Sequence, residues 1–157
     1  MTMIDTDADT APDAVPAVLY RLTDVRRTYQ QKGRIVKALT GVDLEIATGD
    51  FVTIQGPTGG GKSTLLQVLG ALDKPTSGRV LLGDLDIAAA SRGELESLRA
   101  REIGFVFQGF NLIPTLTAAE NVDMALEPLS VPKAERAERV AEALGQVGLA
   151  ERADHRP

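Results

Sequence analysis

The stretch Gly56-Pro57-Thr58-Gly59-Gly60-Gly61-Lys62-Ser63-Thr64 has the spacing GxxxxGK[ST], which suits one kind of chemistry, the cradling of phosphates. Its glycines let several backbone N–H groups converge on phosphate oxygens. Lys62 supplies a point charge to the β and γ groups, and the Ser63 hydroxyl can hold Mg²⁺. A helix starting at the lysine would add the positive end of its dipole. These residues point to mononucleotide binding.

Such a loop works only between an apolar strand and a helix. Phe51-Val52-Thr53-Ile54-Gln55 reads as the strand, and Leu65, Leu66, Val68 and Leu69 carry helical spacing that Gly70 stops. Upstream, Val18 to Val25 and the alternating Val42 to Ile46 read as strands, punctuated by Gly33, Gly41 and Gly49. Downstream, the turn Pro75-Thr76-Ser77-Gly78 leads into a strand from Arg79 to Leu82. Ser91-Arg92-Gly93-Glu94 and Thr117-Ala118-Ala119-Glu120 both fit a capping box, so a helix is expected after each. Ile103 to Phe107 reads as another strand. A last helix is expected from about Pro132 to Val147, with Ala137, Val140, Ala141, Leu144 and Val147 on one face and Gly148 as its cap. Strand, loop, helix, turn and strand in succession give an α/β class.

The 157 residues allow one domain, and 43% hydrophobic content is enough for a core. Four aspartates, Asp5, Asp7, Asp9 and Asp13, account for most of the net charge of -5, so the rest of the chain is nearly neutral. It lacks the clustered basic residues of a nucleic-acid binder, and no nucleic-acid partner is expected. Residues 1–17 mix Asp, Thr, Ala and Pro without periodicity and are expected to form a disordered acidic tail. With no cysteine there is no disulfide framework, and a cytoplasmic setting is the expectation. The N-terminus lacks the basic and apolar regions of an export signal. The longest uncharged run, Ile103 to Ala119, falls short of the roughly 20 apolar residues that span a bilayer.

Other proteins with this loop are harder to reconcile with the chain. No aspartate begins a DxxG switch, and neither Asn111 nor Asn121 precedes a lysine, so the guanine-reading elements of a small GTPase are missing. Asp84, ending Val80-Leu81-Leu82-Gly83, imitates a magnesium-binding aspartate, yet only one short helix separates it from the loop and turn signals flank it. A small-molecule kinase would need acceptor-binding and lid arginines after the core, and no such cluster follows.

Tyr29, GPTGGGKST, LDKPTSGRVLLGDLDI and above all FVFQGFNLIPTLTAAENV resemble the ATP-binding subunit of an ABC transporter, in particular the lipoprotein-release and macrolide-export branch, LolD-like and MacB-like. The resemblance spans residues 18–157. It implies the ABC-type fold of the P-loop NTPases, with ATP and Mg²⁺ as cofactors. Position by position, it implies that Tyr29 stacks on adenine and that Gly56, Pro57, Thr58, Gly59, Gly60, Gly61, Lys62, Ser63 and Thr64 hold the phosphates. Ser63 and Gln108 would reach the metal, and Gln108 would also contact the attacking water. Phe110, Leu112, Ile113 and Pro114 fall in the loop that faces the transmembrane permease subunit. The complete protein would be a homodimer, peripheral on the inner face of the cell membrane.

Thr58 and Gly60 depart from the serines common in the family's loop. The larger departure is that Ala153 to Pro157 stand where family members continue into the LSGGQ signature. That signature, the strand-borne Asp, the adjacent Glu and the switch His are expected beyond these residues, and His155 is expected to be a solvated tail residue. Residues 18–157 thus read as the N-terminal portion of the ATP-binding domain, with strands left unpaired. A truncated nucleotide-binding fragment without ATPase activity is the alternative.

Overall fold

The computed structural model describes residues 17–31 and 33–157, so the acidic tail lies, apart from Ala17, outside the described residues. The described chain divides into two compact units. One holds the residues up to Leu65 with Lys74–Ala89; the other holds Leu66–Asp73 with Ala90–Pro157.

The first unit is built on an antiparallel sheet of order β2-β1-β3-β4. Strands β1 (Val18–Gln31) and β2 (Arg34–Ala47) form a long hairpin closing at Gly33, and β3 (Ser77–Leu82) and β4 (Leu85–Asp86) follow. Both hairpin strands outrun their expected lengths. Register shifts in the β1–β2 pairing, between Leu22 and Val25 in β1 and at Gly41 and Ala38 in β2, break the alternation that would have revealed the outer half. At the shift between Leu22 and Val25, Asp24 takes φ +45°, and its N–H donates to the Asp43 carboxylate at 2.8 Å. Its own carboxyl is held below the usual range by hydrogen bonding to Arg26. Gly78, at φ +89°, passes so close to Asp24 that any Cβ would run into the Asp24 carbonyl, which explains a glycine at the entrance to β3. Leu22, Val25, Leu39, Leu65, Val80 and Ile87 are buried and form this unit's core, each such side chain contributing about 1.5–3 kcal/mol.

Helix α1 (Lys62–Leu69) follows the glycine loop, and the division between units falls within it. Gly70 does not end the helix by a left-handed turn. Ala71 takes that conformation, at φ +51°, while the Leu72 and Ala71 N–H groups donate back to the Gln67 and Val68 carbonyls, a Schellman closure. Gly70 answers a packing need instead, since a Cβ there would stand 2.9 Å from the Phe105 ring.

In the second unit, α2 (Arg92–Arg101) and α3 (Ala118–Leu126) open on the two expected capping boxes. Ser91 accepts from the Glu94 N–H at 3.3 Å while the Glu94 carboxylate accepts from Ser91 at 2.7 Å, and Thr117 and Glu120 repeat the arrangement. Helix α4 (Lys133–Gln146) buries Val140 and Leu144, whereas Val147 is 67% exposed and Ala137 and Ala141 face outward, so the apolar face is narrower than expected. Gly148 closes α4 at φ +71°, with Leu149 donating to Leu144 and Gly148 to Gly145. Arg136 on α4 bridges Asp123 and Glu127, and its hydrogen bonds hold the Asp123 carboxyl below the usual range.

Two expected strands are absent. Neither Phe51–Gln55 nor Ile103–Phe107 joins a ladder, and Phe51 and Val106 are each 96% exposed. A strand needs a neighbour for its N–H and C=O groups, and among the described residues no strand pairs with either segment. His155 is exposed, as expected of a solvated residue, yet its backbone is engaged. Its carbonyl accepts from the Ala118 N–H at 2.8 Å and the Ala153 carbonyl accepts from Ala119 at 2.9 Å, so this segment satisfies two first-turn amides of α3.

Candidate phosphate site

The glycine loop turns on residues other than glycine could not easily supply. Gly59 and Gly61 sit at φ +81° and +82°, and the Gly60 N–H donates to the Pro57 carbonyl at 3.1 Å. Gly61 also presses against β2, where a Cβ would collide with the Ala38 carbonyl oxygen and stand 3.1 Å from Leu39. The Leu65 N–H reaches the Gly61 carbonyl at 2.8 Å, so α1 begins at Lys62. The amides of Lys62, Ser63 and Thr64 therefore fall in the first turn, where a helix offers no internal acceptor. No acidic side chain lies in that turn to oppose an anion.

The Lys62 ammonium folds back into the loop, donating to the Gly56 carbonyl at 2.8 Å and the Pro57 carbonyl at 2.7 Å. A cleft of about 280 Å³ lies beside it, lined by Tyr29 of β1, by Val36, Lys37 and Ala38 of β2, and by Gly59 through Thr64. Tyr29 and most of the loop, recognised as separate motifs in the sequence, are thus brought to one cleft. Gly56, Pro57 and Thr58 form the loop's approach and do not line it. Val36, Lys37 and Ala38 were not evident in the sequence, because β2 was not expected to reach them. Asp84 lies in the turn between β3 and β4 and is exposed.

Gln108 belongs to the second unit and is exposed. After it the chain turns through Asn111, at φ +54°, whose N–H donates to the Gly109 carbonyl. Phe110 is 90% exposed, and Leu112, Ile113 and Pro114 line a groove of about 800 Å³ with Phe105, Phe107 and Met124. Asn121 fixes the far end of this loop. Its side-chain oxygen accepts from the Ile113 N–H at 2.7 Å, and its amide nitrogen faces the carbonyls of Ile113, Leu116 and Thr117 at 3.2, 3.2 and 2.9 Å. That role was not legible beforehand, although the capping box places Asn121 one turn after Thr117.

A glycine loop closing on a helix-start lysine, attached to an antiparallel β unit and followed by a helical unit, is the arrangement of a P-loop nucleotide-binding cassette. Residues 39–157 match the family model described as ABC transporter, and the chain belongs to that family. It is 47% identical over 141 residues to the macrolide export ATP-binding/permease protein MacB of Brucella abortus (strain 2308), covering 90% of this chain and 22% of that protein. It is 39% identical over 143 residues to the lipoprotein-releasing system ATP-binding protein LolD 1 of Rhodospirillum rubrum, covering 91% of this chain and 63% of that one. Among solved structures, the dimeric ATP-binding cassette MJ0796 in a post-hydrolysis state bound to ADP and Pi matches with a TM-score of 0.78 and 42% identity, over 88% of this chain and 61% of that one. The chain thus spans less than two thirds of each of these relatives.

Proposed function

We propose that this chain is the nucleotide-binding portion of the ATP-binding subunit of an ABC transporter, in which binding and hydrolysis of ATP drive a membrane partner. The observation that carries this reading is the Lys62 ammonium drawn into its glycine loop at the start of α1, beside the cleft that Tyr29 lines. In this reading Gly59 through Thr64 receive the phosphates at the cleft and Gly56, Pro57 and Thr58 hold the loop that presents them, with the first-turn amides of α1 and Lys62 facing the β and γ groups. Tyr29 takes the adenine ring through its π-face.

The donor set also fits Mg²⁺, a hard cation that prefers oxygen and usually arrives with substrate phosphates. The Ser63 hydroxyl is exposed in the first turn of α1, and among the described residues no group of three His, Cys, Asp or Glu offers a dedicated cage. When bound, Mg²⁺ would offset charge developing on the β and γ oxygens. For Gln108, as a contact to metal and water, the support is its place in the family phrase FVFQGFNLIP. The exposed Phe110 to Pro114 are the proposed contact with a transmembrane permease subunit, in line with relatives named as ATP-binding/permease proteins. A homodimer in the complete protein follows the cassette described as dimeric. The proposed location is cytoplasmic, peripheral on the inner membrane face; among the described residues no helix is long and apolar enough to cross a membrane.

Thermal unfolding with and without MgATP tests the reading. Binding to the folded state raises the midpoint by mass action, and Lys62→Ala should remove that rise. A folded wild-type chain whose midpoint is unmoved by millimolar MgATP would overturn it.

A further inference from the structure

The Tyr29 ring has a second partner that the cleft does not include. The Arg27 guanidinium carbon stands 4.5 Å from the ring centroid, and both residues are half-buried. Tyr29 lines the cleft with the glycine loop, whereas Arg27 does not. The two are neighbours on β1, at the place where its pairing with β2 shifts between Arg27 and Thr28. A cation over an aromatic face is attracted by the ring quadrupole, and holding a guanidinium there limits the tilt of the ring. A flat ring on which a base is to stack loses less freedom on binding if its plane is already set.

We infer that Arg27 is a positioning residue for base recognition: its guanidinium, held over the Tyr29 ring, sets the plane against which a nucleobase packs in the cleft. The inference rests on the nucleotide-binding reading. It adds a base-specific contribution that the phosphate loop cannot supply, because Arg27 acts through the Tyr29 ring and is not among the residues lining the cleft. The expected signature is a loss confined to ligands that carry a base.

Calorimetric titration of the full chain with MgATP and, separately, with magnesium tripolyphosphate tests this, using wild type, Arg27→Met, Arg27→Lys and Tyr29→Ala. Arg27→Met should weaken MgATP by up to about two- to fivefold, the size of a partly exposed cation–π contact being the upper bound because the contact is already made without ligand, and leave tripolyphosphate unchanged. Arg27→Lys keeps a cation but loses the guanidinium plane and should fall between. Equal weakening of both ligands by Arg27→Met would overturn the inference in favour of a general charge effect. Tyr29→Ala weakening MgATP while both Arg27 variants bind as wild type would overturn it and leave the nucleotide reading intact. A wild-type chain that binds tripolyphosphate as tightly as MgATP would remove base stacking itself, and the inference with it. Far-UV circular dichroism of each variant separates these outcomes from misfolding, and Arg27→Lys keeps the test decisive if Arg27→Met does not fold.

Discussion

Gly59→Ala and Gly61→Ala, made in parallel, separate backbone strain from steric collision in the phosphate loop. The two glycines share nearly the same φ, +81° and +82°, so placing an L-residue at either costs a similar amount, about 1–2 kcal/mol for the left-handed region. They differ in what a methyl group meets. At Gly59 nothing lies within 4 Å, whereas at Gly61 the new carbon collides with the Ala38 carbonyl oxygen and crowds Leu39, which is buried. Because the obstacle is backbone in the middle of β2, it cannot rotate aside, and relief requires a shift of strand or loop worth about 1–3 kcal/mol. The entropy each substitution removes from the unfolded chain is common to both and cancels in the comparison. Gly61→Ala should therefore be about 1–3 kcal/mol less stable than Gly59→Ala in equilibrium urea unfolding followed by circular dichroism, with unchanged m-values. Equal stabilities within about 0.5 kcal/mol, the usual scatter of a surface substitution, would refute the close approach of Gly61 to β2.

Asn121→Asp keeps the acceptor for Ile113 but turns a carboxylate toward three carbonyls; at about 1 kcal/mol for each lost hydrogen bond, it should destabilise by about 2–3 kcal/mol and speed amide hydrogen exchange at Ile113. Gly70→Ala should cost about 1–3 kcal/mol by overpacking, and Phe105→Leu should relieve much of it, giving a coupling readable in a double-mutant cycle. The Arg136 bridge makes a pH prediction: because the Asp123 carboxyl lies below its ordinary value in the folded protein, its stabilisation is full above that value and is lost as pH falls through it and below. Urea midpoints for wild type and Arg136→Met should therefore converge as pH drops below about 4, and a gap independent of pH would refute the assignment.

The sequence was most informative where a signal is local. Both capping boxes formed as spelled, because Ser91 with Glu94 and Thr117 with Glu120 need only each other. The loop from Gly56 to Thr64 was equally clear, since spacing along the chain defines it. Pairing is a different matter. Phe51–Gln55 has the composition of a strand but no pairing partner among the described residues, and its own pattern carries no information about a partner. The reach of β2 past Ala38 to Val36, and with it one wall of the cleft, was hidden by register shifts that leave Gly41 and Ala38 out of the pairing with β1. Gly70 reads in the sequence as the residue that stops α1, which ends at Leu69, but its small size against Phe105 is a contact between distant residues that a single position does not reveal.

The two hydrogen bonds that Lys62 makes to the Gly56 and Pro57 carbonyls bear on calorimetry as well as on shape. In the proposed binding mode an arriving phosphate would meet an ammonium that already has acceptors, so association would be an exchange in which neutral acceptors give way to charged ones. Charge-assisted bonds are roughly twice as strong as neutral ones, which sets the direction of the exchange. The heat released at Lys62 reports only the difference between the two sets of bonds. Arginine, with its planar five-donor head, would offer the Gly56 and Pro57 carbonyls a different donor geometry from that of a compact ammonium shared between them.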